Sequence, residues 1–160
     1  MGRMASVRRK FREAFFFFDR LSSHDPSRTE LAEDVHFYLS AFLSAGRTIV
    51  EFVEKQQRWY PGWFHDWKMQ LSHMDRKLLN DMTRQRDLEV HEEGADVIPD
   101  FNRDGLLASQ RPQYYFWIDG KQTDVRSTCQ RYLELLVKLL TDFEAHLSEQ
   151  NEQSLEELSR

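Results

Sequence analysis

Long apolar stripes at helical spacing, broken only around prolines, constrain this chain more than any other feature. Its four prolines, Pro26, Pro61, Pro99 and Pro112, all fall where the helical period has lapsed, as expected of a residue that lacks a backbone donor and clashes with the preceding turn. The first segment, about residues 6–22, carries Phe11, Phe15, Phe18 and Leu21 on one stripe, with Phe16 and Phe17 directed elsewhere. A helix apolar on more than one side needs a second surface to cover it. The second segment opens with Ser27-Arg28-Thr29-Glu30, a capping box in which hydroxyl and carboxylate each satisfy a free backbone amide. Leu31, Val35, Tyr38, Phe42, Ala45, Ile49 and Val53 then follow in steps of four and three, which predicts a long amphipathic helix.

After Pro61-Gly62 the same steps take in Phe64, Trp67, Leu71, Met74, Leu78 and Met82, predicting a third helix that continues to Glu93 with Gly94 as its C-cap. A fourth, about residues 123–148, bears Val125, Cys129, Tyr132, Leu136, Leu139, Phe143 and Leu147 on one stripe. The stretch 94–122 is too long for an ordinary helix connection and is rich in Pro, Gly, Asn and Asp. Within it, residues 113–118 have strand composition and Asp119-Gly120 suits a two-residue hairpin turn. The expected fold is therefore all-α, an antiparallel four-helix bundle with a long loop, able to hold a hairpin, between the third and fourth helices. One domain is expected over 1–148, followed by a polar, acidic tail, 149–160, with little to bury and expected to be frayed or disordered.

Composition narrows the function classes. Lys and Arg number 22 against 27 Asp and Glu, a formal charge of −5, which disfavours non-specific coating of nucleic acid or an anionic membrane while allowing a local basic site. The aromatic run Phe15 to Phe18 ends at Asp19 and Arg20, far short of the ~20 apolar residues needed to span a bilayer, so no membrane partner is expected. Arg3, Arg8, Arg9, Lys10 and Arg12 read as the basic start of the first helix rather than as a targeting signal. With Cys129 the one cysteine, neither an internal disulfide framework nor a site of several thiolates is open to the chain, and a reducing, cytoplasmic setting is expected.

The densest group of ionisable residues closes the third helix: Asp81, Arg84, Arg86, Asp87, Glu89, His91, Glu92 and Glu93. At ~100° per residue, Arg84, Asp87 and His91 project away from the stripe that ends in Leu78 and Met82. His73, Lys77 and Asn80 lie along the same outward side, and Arg86 stands toward the flank. Asp87 and His91 are one turn apart, so the carboxylate can orient or charge the imidazole.

Arg86-Asp87-Leu88-Glu89-Val90-His91 resembles the R-x4-6-H signature of HEPN domains (higher eukaryotes and prokaryotes nucleotide-binding), including the polar residue directly after the Arg. Arg84 also meets the spacing and competes for the role. As architecture the resemblance covers about residues 7–147. It implies a helical bundle that dimerises and brings the Arg and His of both protomers to the interface. Many such proteins are metal-independent endoribonucleases, often toxins or defence effectors, and others only bind nucleotides or partner proteins such as antitoxins. On this reading His91 is the acid/base, Arg86, assisted by Arg84, binds the scissile phosphate and Asp87 positions one of them, with Lys77, Asn80 and His73 as substrate-binding residues. Neither a metal nor another cofactor is required, and Phe16 and Phe17 become interface candidates. The acidic neighbours oppose this reading, because they repel a phosphate backbone unless the basic residues outweigh them.

Two other classes compete. A non-catalytic module would dock a partner protein or nucleotide on the same polar face. A metal-binding bundle would use Glu33-x-x-His36 with His65, His73 and Asp75, although a di-metal carboxylate bundle wants that pair on two helices. Tyr114 to Trp117 could stack unpaired bases or close the end of the bundle. The junction Trp59-Tyr60-Pro61-Gly62-Trp63 has the same two readings, and Cys129 reads as a small core residue.

Overall fold

A computed structural model describes residues 2–23, 32–91, 97–99 and 114–158, and of these the backbone alone at 2–3, 32–33, 57, 89–91, 97–99, 156 and 158. The chain is mostly helical, with a small sheet. Helices α1 (Gly2–Ser23) and α2 (Ala32–Lys55) are followed by a 3-10 turn, Gln56–Arg58, then by α3 (Trp63–Gln70) and α4 (His73–His91). Strands β1 (Val97–Pro99), β2 (Tyr114–Ile118) and β3 (Lys121–Asp124) precede α5 (Val125–Leu158). The capping box at 27–30 and the start of the second stripe at Leu31 lie outside the described residues.

The core is centred on α2 and α5. Leu39, Phe42, Leu43, Ile49 and Val53 of α2 are buried with Cys129, Tyr132, Leu136, Leu139 and Phe143 of α5. Phe42 meets Tyr132 and Phe52 meets Phe143, with ring centroids 6.0 and 6.5 Å apart, so the two helices run in the same direction. Gly46 makes their approach possible: a Cβ there would stand 2.6 Å from Cε1 of the Tyr132 ring. Burial drives the Tyr132 hydroxyl and the Cys129 thiol strongly toward their neutral forms.

α1 lies against α2 and α5. Its buried stripe is Val7, Phe11, Ala14, Phe18 and Leu21 rather than one through Phe15, which is 55% exposed. Ala14 takes the central position because its short side chain admits the neighbouring backbone, and the next residue is thereby turned to the rim. Phe17, expected at an interface, packs against the core, while Phe16 stays 49% exposed beneath the Arg20 guanidinium.

The third helix expected from the sequence is two. Leu71 is extended (φ −63°, ψ 149°), and Ser72 starts α4: its Oγ accepts from the Asp75 amide at 3.1 Å and donates to the Asp75 carboxylate at 2.8 Å. This Ser-x-x-Asp pattern is itself a capping signature. Arg76 ties the break together by donating to the carbonyls of Met69 and Leu71. The turn moves Met74 to the surface while Phe64, Trp67 and Leu71 remain buried.

The hairpin is formed. Ile118 pairs with Lys121 across Asp119-Gly120, and both turn residues have positive φ, 51° and 71°, the type I′ geometry that suits a two-residue connection. β1 adds antiparallel to β2. Phe116 is fully buried and Tyr114 and Ile118 pack on the core, so this aromatic run closes the fold. Asp124 caps α5, accepting from the Ser127 amide at 2.7 Å. α5 then runs through the polar segment expected to be frayed, as far as Leu158. Its Glu and Gln residues are good helix formers, and neither Gly nor Pro interrupts them.

Gly46→Ala is expected to lower unfolding free energy by about 1–3 kcal/mol despite alanine's better helix propensity, with exposed Thr48→Ala near neutral, both read by chemical denaturation. Ser72→Ala is expected to cost about 1 kcal/mol and to raise amide exchange at the start of α4.

Candidate functional site

α4 carries the expected site residues. Just before it, α3 is held against α5: the Trp67 indole donates to Asp142 at 2.9 Å, and Trp63 packs on Phe143 and His146. The first turns of α4 lie beside the hairpin that leads into α5, joined by Lys77 and Asp119. Leu78, Leu79, Met82 and Gln85 face the core. His73, Lys77, Asn80, Arg84 and Asp87 are exposed, as the helical period requires.

The hairpin contributes a residue that the motif does not contain. Lys77 bridges Asp81 at 2.7 Å and Asp119 at 2.8 Å. Asp119 sits in the turn with positive φ, a conformation that aspartate tolerates better than most residues. The Lys77 ammonium, through its hydrogen bond and then its charge, holds the Asp119 carboxyl below its ordinary range, and Arg84 adds a smaller charge effect. Its two acceptors in turn raise the Lys77 pKa, Asp119 first. Between α4 and the turn lies a cavity of about 210 Å³ bordered by Asp81, Arg84, Gln85, Trp117 and Asp119, smaller than the usual site for a drug-sized ligand.

The two candidate arginines part company. Arg84 borders that cavity, whereas Arg86, about 200° further round the helix, is half-buried on the flank. Arg86 donates from Nη1 to the Asp87 carboxylate at 3.1 Å, and its Nε is buried with no hydrogen-bond partner among the described residues. His91 is the last residue of α4, and its side chain lies outside the described residues. His73 opens the same helix, about 27 Å from His91 along the axis, and Lys77 is engaged by the hairpin. Proximity therefore joins Arg86 to Asp87 and Lys77 to Asp81 and Asp119, and leaves His73 remote from the motif.

Among the described residues no three His, Cys, Asp or Glu side chains are grouped to hold a metal ion; His65 is exposed and Asp75 serves the α4 cap. Tyr60 and Trp63 of the second junction pack against the core, and Trp59 is exposed next to Arg58. No helix among the described residues is long and apolar enough to cross a membrane.

No protein family, curated protein or solved structure is significantly similar to this chain.

Because the Asp119 carboxyl is held down by Lys77, the ion pair is present above the ordinary carboxylate range and is lost as pH falls through the lowered value. Acidification is expected to free the hairpin turn, raising amide exchange over 114–124 before the helices open. Asp119→Asn, which keeps a residue tolerant of positive φ, should produce the same loosening at neutral pH and abolish its pH dependence.

Proposed function

We propose that the chain is a HEPN-like domain, an antiparallel four-helix bundle of α1, α2, α4 and α5, that acts in the cytoplasm as a homodimer and cleaves RNA without a metal ion. The reading rests on the Arg86–Asp87 contact in the closing turns of α4, with His91 one turn beyond Asp87. Asp87 orients the guanidinium through one nitrogen. Among the described residues the Arg86 Nε has no acceptor, and a buried donor left unpaired is costly, so an anionic oxygen is a fitting ligand for this group. His91 ends its helix, where the macrodipole favours the imidazolium.

In the proposed reaction one His91 takes the proton of a ribose 2′-hydroxyl and the oxygen attacks phosphorus. The bond from phosphorus to the 5′-oxygen breaks, and His91 of the partner subunit gives that oxygen its proton. Arg86 stabilises the charge that grows on the phosphoryl oxygens. Arg84 attends the neighbouring nucleotide.

A second reading, a non-catalytic module that binds a nucleotide or a partner protein such as an antitoxin, draws on a different observation. Lys77 is already shared by two carboxylates and Arg86 is paired with Asp87, so acids of the same chain balance much of the positive charge on this face.

Purified protein is expected to cleave single-stranded RNA in the presence of a chelator. His91→Ala and Arg86→Ala should each lower the rate by about 10²–10⁴-fold with helicity and mass unchanged, and Arg84→Ala by less. Full activity in both of the first two variants rejects the site. Absence of cleavage, with a co-purifying partner released by Asp87→Arg, selects the binding module.

A further inference from the structure

We propose that the cavity between α4 and the hairpin turn holds a guanine base, stacked on Trp117 and read by Asp81, Asp119 and Arg84. The inference rests on the reading of this face of α4 as one that handles RNA or a nucleotide, and it supplies a base preference that the Arg and His of the motif do not carry.

Trp117 is the most exposed member of the aromatic run in β2. Side chains of a strand alternate between its two faces: Phe116 is fully buried, whereas Trp117 is 45% exposed and borders the cavity. An aromatic ring left in water beside a concave surface is a stacking platform, since every base has a π-face. The cavity, about 210 Å³, suits a single base better than a drug-sized ligand.

The surrounding charges favour a neutral occupant. Asp81 and Asp119 are balanced by Arg84 at the rim and by Lys77, which touches both carboxylates. A phosphate here is opposed by the two carboxylates, and a cationic side chain by Lys77 and Arg84.

The pattern of donors and acceptors then narrows the choice of base. Lys77 fastens Asp81 and Asp119 to one nitrogen, at 2.7 and 2.8 Å, through Oδ2 of each, which sets the two carboxylates side by side. An ionised carboxylate only accepts, at about four sites, so acceptor capacity remains on both, while the exposed Arg84 brings N–H donors. Guanine matches both sets. Its N1–H and 2-amino group are adjacent donors on one edge, and its O6 and N7 are the acceptors that a guanidinium grips in bidentate fashion. Adenine and cytosine each set a single amino group beside an acceptor, and uracil sets one N–H between two carbonyls, so each of them leaves a polar group of the site unmatched.

The place of the cavity along α4 agrees with this role. Arg84 precedes His91 by seven residues, so the two positions share one side of the helix and stand about 10 Å apart along its axis. A strand whose guanine is held at Arg84 therefore runs on toward the end of α4, where the proposed cleavage takes place.

The test is the binding of mononucleotides, which offer no bond to cleave, to the full-length chain, followed by calorimetry and by tryptophan fluorescence. Guanosine monophosphate is expected to bind and to quench. The adenosine, cytidine and uridine nucleotides, and the inosine nucleotide that lacks the 2-amino group, should bind about 5–150-fold more weakly. Trp117→Ala should weaken guanosine monophosphate by a similar factor of about 5–150, whereas Trp117→Phe should keep the binding and lose the quench. Arg84→Met should weaken it with helicity unchanged. A 2′-O-methyl oligouridine carrying one guanosine has no free 2′-hydroxyl to react: tighter binding of this strand than of the mononucleotide assigns the base to RNA, and equal binding assigns it to a free nucleotide. Equal affinity for all the bases, indifference to Trp117→Ala, or a preference for argininamide over guanosine monophosphate overturns the pocket. RNA cleavage without preference for guanosine also overturns it and leaves the nuclease reading standing, while guanine-specific binding by a chain that cleaves nothing does the reverse.

Discussion

α2 and α5 touch where Gly46 leaves room for the Tyr132 ring, and the other elements are arranged around that contact. A glycine inside a helix costs backbone entropy, which close packing of a large buried aromatic can repay. The same device appears more gently in α1, where Ala14 takes the central place and the larger phenylalanines are displaced to its sides. α4 completes the enclosure with Leu78, Leu79 and Met82. The layer holding Tyr132 also holds Cys129, so the chain's one thiol is kept neutral and inert by the packing that stabilises the fold.

The outward face of α4 follows a different logic. Two basic residues on and beside it are matched within the chain: Lys77 by Asp81 and Asp119, and Arg86 by Asp87. Exposed pairs of this kind contribute little to global stability. Here they govern position, because Lys77 fastens a hairpin turn to a helix and Asp87 holds a guanidinium near the helix end. A groove between α1 and α5 is different in character, with arginines beside an apolar floor.

The expectations that the structure revised share a cause. A stripe from Phe64 to Met82 is compatible with one helix or with two that share a buried side, and only the capping at Ser72 and Asp75 separates the cases. That cap was legible in the sequence as Ser-x-x-Asp, and apolar periodicity outweighed it. Phe15 and Ala14 differ by one step of ~100°, and because helices approach each other over small residues the smaller side chain takes the buried place. The α5 extension needed no burial to be helical, since it grows from a helix already nucleated.

What the sequence determined by itself is local: where helices run, which sides are apolar, that Asp119-Gly120 turns a hairpin, and that Arg84 and Asp87 share one side of a helix while Arg86 flanks it. These follow from periods of 3.6 and 2 residues and from the backbone demands of Pro, Gly and capping side chains, which act over a few neighbouring positions. The tertiary structure alone decided that Lys77 meets Asp119, that Gly46 faces Tyr132, and that Arg8 and Val137 border one groove. Each of these joins residues tens of positions apart, and what brings them together is the filling of a common core, to which no local pattern of side chains is sensitive.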